Sequence, residues 1–463
     1  MEALIDRLRG IVGASHVLTG AETEGFGREW TGHYHWTPLA VVRPGNVDEV
    51  AAVLRLANET ETPVVPLGGN TGLNGGTMAE GALMLSLARL NRVREFNTAA
   101  RTVTAEAGVV LQSLREMAAD HGLMFPLTFG AQGSAMVGGF LSTNAGGSNV
   151  VRYGVTRALC LGIEAVLADG RVLNLLTGLH KDNTGYDLRD LLIGAEGTLG
   201  VITAAVFRLA PAPVAHATAL LGMDSLPEAL ALLHEIQAGT GGAVEAFELM
   251  PLAFMERLGR LKPDLACPFP PRPVNIMVEI ATTIPGDNPV ARLEDLLGAA
   301  MERGAVHEAI IAANEGQRRK IWEMRESAAE ITFTEPFLID TDVALPLDRL
   351  EEFLTRMTAR LATIDPGATE LIVAHLGDGN IHYTAYPALT DDATMADIRA
   401  AISAEAVALG GTFSAEHGVG ISKRKTMAAH KDPVALAVMH AIKAALDPKG
   451  ILNPGKVLPP GAA

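Results

Sequence analysis

Two histidines in the segment LIVAHLGDGNIHYTAY, His375 and His382, are spaced so that both can ligate one metal ion. An apolar β-rich run, a Gly-Asp-Gly-Asn turn and a second β-rich run make a hairpin signature. With Asp378-Gly379 as the turn centre, Leu376 pairs with Ile381 and His375 faces His382. Directly opposed residues share a face, with Cβ atoms about 4.5–5.5 Å apart. A lone histidine on a strand is ordinarily structural, but a matched pair across a hairpin can hold a cation. Catalysis at such a cation needs a third ligand and positions left open. The segment Ser414-Ala-Glu-His-Gly-Val-Gly420 offers Glu416 as that ligand, with His417 beside it, and its glycines allow a sharp turn. Alone, Glu-His would read as an exposed polar turn.

A second kind of chemistry lies in glycine-rich loops. Pro66-Leu-Gly-Gly-Asn-Thr-Gly-Leu-Asn-Gly-Gly76 follows the apolar strand TPVVPLG and holds five glycines between Gly68 and Gly76. Consecutive N–H groups in such a loop form an anion nest, and missing Cβ atoms let a diphosphate approach closely. Asn70 and Thr71 are the hydrogen-bonding side chains near its start. A single glycine cluster is ordinarily an irregular loop, but two more follow. Gly133-Ser-Ala-Met-Val-Gly-Gly-Phe-Leu-Ser-Thr-Asn-Ala-Gly-Gly-Ser148 leaves room for a flat ligand and offers Ser134, Ser142, Thr143 and Asn144 to its polar edge. Gly194-Ala-Glu-Gly-Thr-Leu-Gly-Val-Ile-Thr203 is a tight turn feeding a strand whose amides can hydrogen-bond a ring. GxGxxG is absent, which removes the dinucleotide fingerprint of nicotinamide enzymes. Gly450-Ile-Leu-Asn-Pro-Gly455-Lys456-Val457 imitates a P-loop, but Val457 stands where a Ser or Thr must bind magnesium and Pro454 interrupts the cradle.

The elements that must position these groups come in two styles. From about Pro38 to Pro211, short β-rich runs alternate with a few helices and long glycine-rich connections. There Asn46 and Glu49 form a capping-box-like start for VDEVAAVLRLA, and Asp169-Gly170 signals a hairpin. After PAPV at 211–214 the pattern becomes regular. HATALLG, AVEAFELM, VNIMVEIATT and VHEAIIAAN read as strands, while SLPEALALLHEIQAG, NPVARLEDLLGAAMERG and LDRLEEFLTRMTARLATI read as amphipathic helices. The economical arrangement is a sheet covered on one face by helices. The expected fold class is α+β, with an α/β domain over 1–212, a ferredoxin-like α+β domain over 213–415 and a helical segment over 416–463 returning to the first.

Composition narrows the partners. With 48% hydrophobic and 19% charged residues the 463-residue chain can bury large cores. A net charge of -16 without basic clusters disfavours nucleic acid and anionic membrane. Two distant cysteines, Cys160 and Cys267, exclude a disulfide framework or a Cys-type metal cluster and fit a reducing compartment. The opening MEALIDRLRG is an amphipathic helix rather than a secretory signal, and no stretch reaches the ~18 apolar residues of a membrane span. The expected address is the cytoplasm, and a homodimer is only the general prior.

Over roughly 35–457 these motifs resemble the vanillyl-alcohol oxidase (PCMH-type) flavoprotein superfamily, in its branch of D-lactate, glycolate and D-2-hydroxyglutarate dehydrogenases. The resemblance implies a PCMH-type FAD domain and a substrate (cap) domain. It implies non-covalent FAD, since the first loop holds no His or Cys for a covalent link. The implied flavin contacts are Pro66, Gly68, Gly69, Asn70, Thr71 and Gly72 for the diphosphate. Gly133, Ser134, Gly138, Gly139, Ser142, Thr143, Gly146, Glu196, Gly200, Val201, Ile202 and Asn453 complete the flavin set. The resemblance further implies His375, His382 and Glu416 as ligands of a divalent metal, zinc first, then manganese or iron. It makes His417 the base and Arg325, in Ile321-Trp-Glu-Met-Arg-Glu326, the grip on the substrate carboxylate.

The implied reaction removes the hydroxyl proton of a 2-hydroxy acid and passes its C2 hydrogen to the flavin as hydride. Electrons then leave to a separate acceptor, a quinone, cytochrome or electron-transfer flavoprotein. Three positions depart from the dicarboxylate-using relatives: Asp340 where they tend to place a lysine, Ala329 where they offer a hydroxyl, and Thr384 where they offer an amide. An acid there would repel a second carboxylate, which tilts the expected substrate toward lactate-like acids, with 2-hydroxyglutarate or glycolate as the alternative. Two other classes stay open at this stage: a metal-dependent hydrolase, for which no HExxH helix is present, and a flavoprotein without turnover.

Overall fold

The computed structural model describes residues 2–30 and 32–461. The chain divides into two compact units: Met1–Gly146 with Gly154–Pro211 and Glu416–Ala463, and Gly147–Tyr153 with Ala212–Ala415.

In the first unit a four-stranded sheet runs in the order Val17–Leu18, Ala40–Val42, Leu83–Ser86, Val64–Leu67. The helix Val47–Glu59 buries Val50, Val53, Leu54 and Ala57 in the same core as Ala40, Val42, Val64, Leu83 and Leu85. Its start is fixed as the sequence suggests. Asn46 Oδ1 accepts from the Glu49 amide at 2.9 Å, while the Glu49 carboxylate accepts from the Gly45 amide at 2.7 Å. A five-stranded sheet runs in the order Val93–Asn97, Thr102–Glu106, Val201–Arg208, Cys160–Val166, Val172–Leu175. The Asp169-Gly170 turn joins its last two strands, with Gly170 at φ 80°. The first glycine-rich segment leaves the strand Val64–Leu67 and the third enters Val201–Arg208, while the second carries the helix Val137–Ser142.

Among the described residues the second unit holds one seven-stranded antiparallel sheet: β1 (Ala215–Met223), β2 (Val244–Leu249), β3 (Val274–Thr282), β4 (Glu308–Ile311), β5 (Ile339–Ala344), β6 (Thr369–His375) and β7 (Asn380–Tyr386). Their spatial order is β4-β1-β3-β2-β6-β7-β5. One face is apolar along its whole width, through Ala219, Leu221, Phe247, Ile276, Val278, Ala374, Ile381 and Tyr383. It packs under the helices Leu226–Gly239, Pro289–Glu302, Leu350–Ile364 and Asp392–Ala408. The opposite face is also covered, which corrects the expectation of a single helical layer. Leu220, Met277, Leu371 and Val373 are apolar there and bury against the helices Leu252–Leu261 and Glu315–Glu326. The remainder of that face carries the polar residues described next. Among the described residues no helix is long and apolar enough to cross a membrane.

Candidate active site

The hairpin forms, with its turn one place earlier than the sequence suggests. His375 pairs with Asn380, and His382 pairs with Val373 rather than with His375. The turn is Leu376-Gly-Asp-Gly379, because Leu376 is drawn into the core and Gly379 adopts φ 82°. A Cβ on Gly379 would lie 2.3 Å from the Leu345 carbonyl oxygen, so no other residue fits. The shift moves each pairing by two positions, and side chains alternate with period two. The histidines therefore stay on one face, as diagonal neighbours with ring centroids 5.4 Å apart.

What orients His375 is a residue without a local signal. Glu248 on β2 is paired with His375 across the β2/β6 ladder and is fully buried. Its Oε1 lies 2.9 Å from His375 Nδ1, and its Oε2 accepts from Arg325 Nε at 2.7 Å. A carboxylate only accepts, so His375 Nδ1 carries the proton and Nε2 keeps its lone pair. That nitrogen lies 3.4 Å from Arg325 Nη2, and guanidinium only donates. Glu248 thus places a proton on Nδ1, and the donor Arg325 leaves Nε2 as the nitrogen open to a metal. Burial pushes the Glu248 carboxyl up, but the adjacent His375 and Arg325 outweigh it and hold the group below the usual carboxylate range. Arg325 itself is buried on the helix Glu315–Glu326, which removes it from the class of solvated helix arginines.

On the far side of the hairpin Asp342 pairs with His382, and Asp340 with Thr384. Asp342 is fully buried, and its Oδ2 accepts from the Ala415 amide at 3.0 Å. That bond holds the chain just before Glu416. His375 and His382 supply two imidazoles on one face of the second unit's sheet, and Glu416 opens the segment Glu416–Ala463 that belongs to the first unit. His417 Nε2 lies 3.7 Å from Glu416 Oε1. A second group of this kind, His216, Glu245 and Glu279, has its acids already neutralised. Arg152 and Tyr153 donate to Glu245, and Arg318 and Trp322 donate to Glu279. Two imidazoles and a carboxylate are donor types that suit a divalent cation with open positions; the second set, with both acids already paired, does not.

The glycine-rich loops pack against one another in the first unit. A Cβ on Gly69 would lie 2.0 Å from the Ser134 carbonyl oxygen, one on Gly68 would touch the Gly139 backbone at 3.4 Å, and one on Gly138 would meet Ala107 at 3.0 Å. Asn70 spends its side chain inside the protein, donating to Arg28 O and accepting from Thr77 Oγ1, so what it offers outward is backbone. Ser142 and Thr143 likewise return their hydroxyls to Gly138 O and Gly139 O. Asn453 Nδ2 joins Gly76 O to Glu196 O, at 3.1 and 2.7 Å, while its Oδ1 is buried without a partner. A glycine-lined cradle with an orphaned buried acceptor fits a bound cofactor.

Comparison with known proteins decides the family. A model of FAD-linked oxidases, C-terminal domain, matches residues 212–457, just over half of the chain, and an FAD-binding domain model matches 38–176. The chain belongs to the FAD-linked oxidase family. It is similar to the mitochondrial D-2-hydroxyglutarate dehydrogenase of Bos taurus, 38% identical over 93% of this chain and 79% of that one. It is similar also to the D-2-hydroxyglutarate dehydrogenase of Xanthomonas citri pv. viticola, 36% identical over 94% of this chain and 93% of that one. Among solved structures, p-cresol methylhydroxylase with substrate bound shares the fold with a TM-score of 0.76 at 14% identity, covering 98% of this chain and 96% of that one. This member of the family is an FAD-binding oxidoreductase of α+β, PCMH-type fold, which removes the hydrolase and the flavoprotein without turnover. The relatives named are D-2-hydroxyglutarate dehydrogenases and not lactate dehydrogenases.

Glu248 is the residue that sequence reasoning missed. The available signal was an acid inside VEAFEL, a strand whose every residue is buried. Its partner His375 lies 127 positions away.

Proposed function

We propose that this protein oxidises a D-2-hydroxy acid to the 2-keto acid, with D-2-hydroxyglutarate as the first candidate substrate. FAD would lie along the three glycine-rich loops, and a divalent cation, zinc first, would be held by His375, His382 and Glu416. When bound, the cation supplies Lewis acidity toward the substrate hydroxyl, and the flavin supplies the hydride acceptor. Arg325 grips the substrate carboxylate, His417 accepts the hydroxyl proton as general base, and Glu248 keeps His375 and Arg325 aimed. The observation that carries this reading is the single buried carboxylate of Glu248 bonded to both His375 and Arg325. It sets a metal ligand 3.4 Å from a carboxylate-binding cation, which matches the neighbouring oxygens of a 2-hydroxycarboxylate. Electrons leave to a separate quinone, cytochrome or electron-transfer flavoprotein in an aqueous compartment such as the cytoplasm.

Asp340 favours a second reading. Its Oδ1 accepts from Thr384 Oγ1 at 2.9 Å on the strand face that carries His382. Alternate residues on one face lie about 7 Å apart, close to the reach of the distal carboxylate of a five-carbon diacid. A substrate with a short or neutral tail would avoid that repulsion. The test is anaerobic bleaching of the flavin by D- and L-2-hydroxyglutarate, D- and L-lactate and glycolate. Fast bleaching by D-2-hydroxyglutarate supports the first reading, and bleaching by D-lactate with 2-hydroxyglutarate inert supports the second. A flavin that no 2-hydroxy acid reduces removes both.

A further inference from the structure

The loop that follows His417 is bonded to both of the outer glycine-rich segments. Asn74, in the first, donates from Nδ2 to His417 O at 3.0 Å and Gly418 O at 2.8 Å. Its own carbonyl accepts from the Ile421 amide at 2.8 Å, and its Oδ1 accepts from Ser422 Oγ at 2.9 Å. Glu196, in the third segment, accepts from the Val419 amide at 2.7 Å and the Gly420 amide at 2.9 Å, one on each carboxylate oxygen. The glycines after His417 are shaped to this docking. A Cβ on Gly418 would lie 2.8 Å from Glu196 Oε1, and one on Gly420 would lie 2.1 Å from Asn74 O. Glu196 itself sits at φ 51°, a strained backbone position for glutamate. Nothing in a bare turn requires two distant residues to bind six consecutive ones, His417 to Ser422, in this way.

We propose that Asn74 and Glu196 are positioning residues that make the placement of Glu416 and His417 depend on the flavin loops, so that FAD and the divalent cation bind with positive coupling. The inference rests on the reading of Glu416 as a metal ligand. Glycine-rich segments lose more backbone freedom on ordering than any others. A cofactor that orders residues 68–76 and 194–200 therefore also orders the loop hung from Asn74 and Glu196. The cation then meets a carboxylate whose ordering is already complete. Linkage requires that the cation tighten FAD by the same factor.

The experiment is zinc competition against a colorimetric chelator, using the full chain with FAD bound and after flavin removal. Zinc should bind about tenfold tighter to the flavin-loaded protein. In Glu196→Gln, and independently in Asn74→Asp, which cannot donate to the two carbonyls, that ratio should fall toward one, and Asn74→Asp, which lies outside the implied flavin contacts, should still take up added FAD. Equal zinc affinity with and without flavin in the unaltered protein overturns the coupling. So does a ratio that survives both substitutions. Absence of competition in either form overturns the coupling together with the metal reading, and this is distinguishable because no zinc is then taken up at all.

Discussion

The histidine hairpin and the glycine-rich cradle proposed for the flavin are built from opposite materials. At the hairpin the working surface is side chains, fixed by charge: one buried carboxylate, Glu248, holds an imidazole and a guanidinium. In the cradle it is backbone, fixed by what is missing: Gly69 stands where a Cβ would meet Ser134 O at 2.0 Å. The first design tolerates small shifts of main chain, provided each charge keeps its partner. The second tolerates changes of charge but not of volume. A site that must set a tautomer needs donors and acceptors of defined kind, whereas one that must admit a diphosphate needs exposed amides and no obstruction.

Substitutions that separate volume from charge should affect the two regions in opposite ways. Gly69→Ala should cause the largest loss. The added methyl forces the Ser134 segment away, and the purified protein should lack the flavin absorbance while its far-ultraviolet circular dichroism stays near that of the parent. Flavin retention would show that the cradle is not volume-limited. Glu248→Gln keeps the size of the side chain and removes its charge. It should weaken zinc about 10–100-fold in a chelator competition, as loss of an outer-shell carboxylate does elsewhere, with flavin still bound. Unchanged zinc affinity would mean that Glu248 does not orient His375. Arg325→Lys keeps the charge and loses the fork. The expected outcome is a KM raised by about tenfold, equivalent to about 1.4 kcal/mol, with a smaller change in kcat; an unaltered KM would remove Arg325 from substrate binding.

The smallest effect belongs to a group outside both sites. Lys456 is buried, and its ammonium donates to Met78 O and Pro454 O. Burial and the nearby Arg424 lower its pKa from 10.5 to about 8. Between those values the unfolded chain binds more protons than the folded one, so this lysine makes stability rise with pH from about 8 to about 10.5. Lys456→Met should flatten that rise in denaturant titrations at the two ends of the window. A slope that persists would assign it to other groups.

Much of this was legible in the sequence because the signals were local. The Asn46–Glu49 cap, the Asp169-Gly170 turn and the strand and helix periods after PAPV each depend on residues a few positions apart. The histidine hairpin was legible in its face but not in its register. Period-two alternation survived the error, whereas the turn position depended on the burial of Leu376 and the close approach of Gly379 to Leu345, neither of which is local. Glu248 was hidden because sheet order, and not sequence spacing, sets β2 beside β6. Glu196 was visible only as part of a cofactor motif; its bonds to Val419 and Gly420 span more than two hundred positions.

The central claim is that a cation at His375, His382 and Glu416 serves flavin reduction by a 2-hydroxy acid. Stopped-flow absorbance under anaerobic conditions measures this directly, following the flavin after mixing with D-2-hydroxyglutarate, or with D-lactate, before and after chelation and zinc return. Bleaching that is lost with the metal, restored by zinc and absent in a His382→Ala protein that still holds its FAD is the expected result. Bleaching at an undiminished rate in the metal-free protein would contradict it.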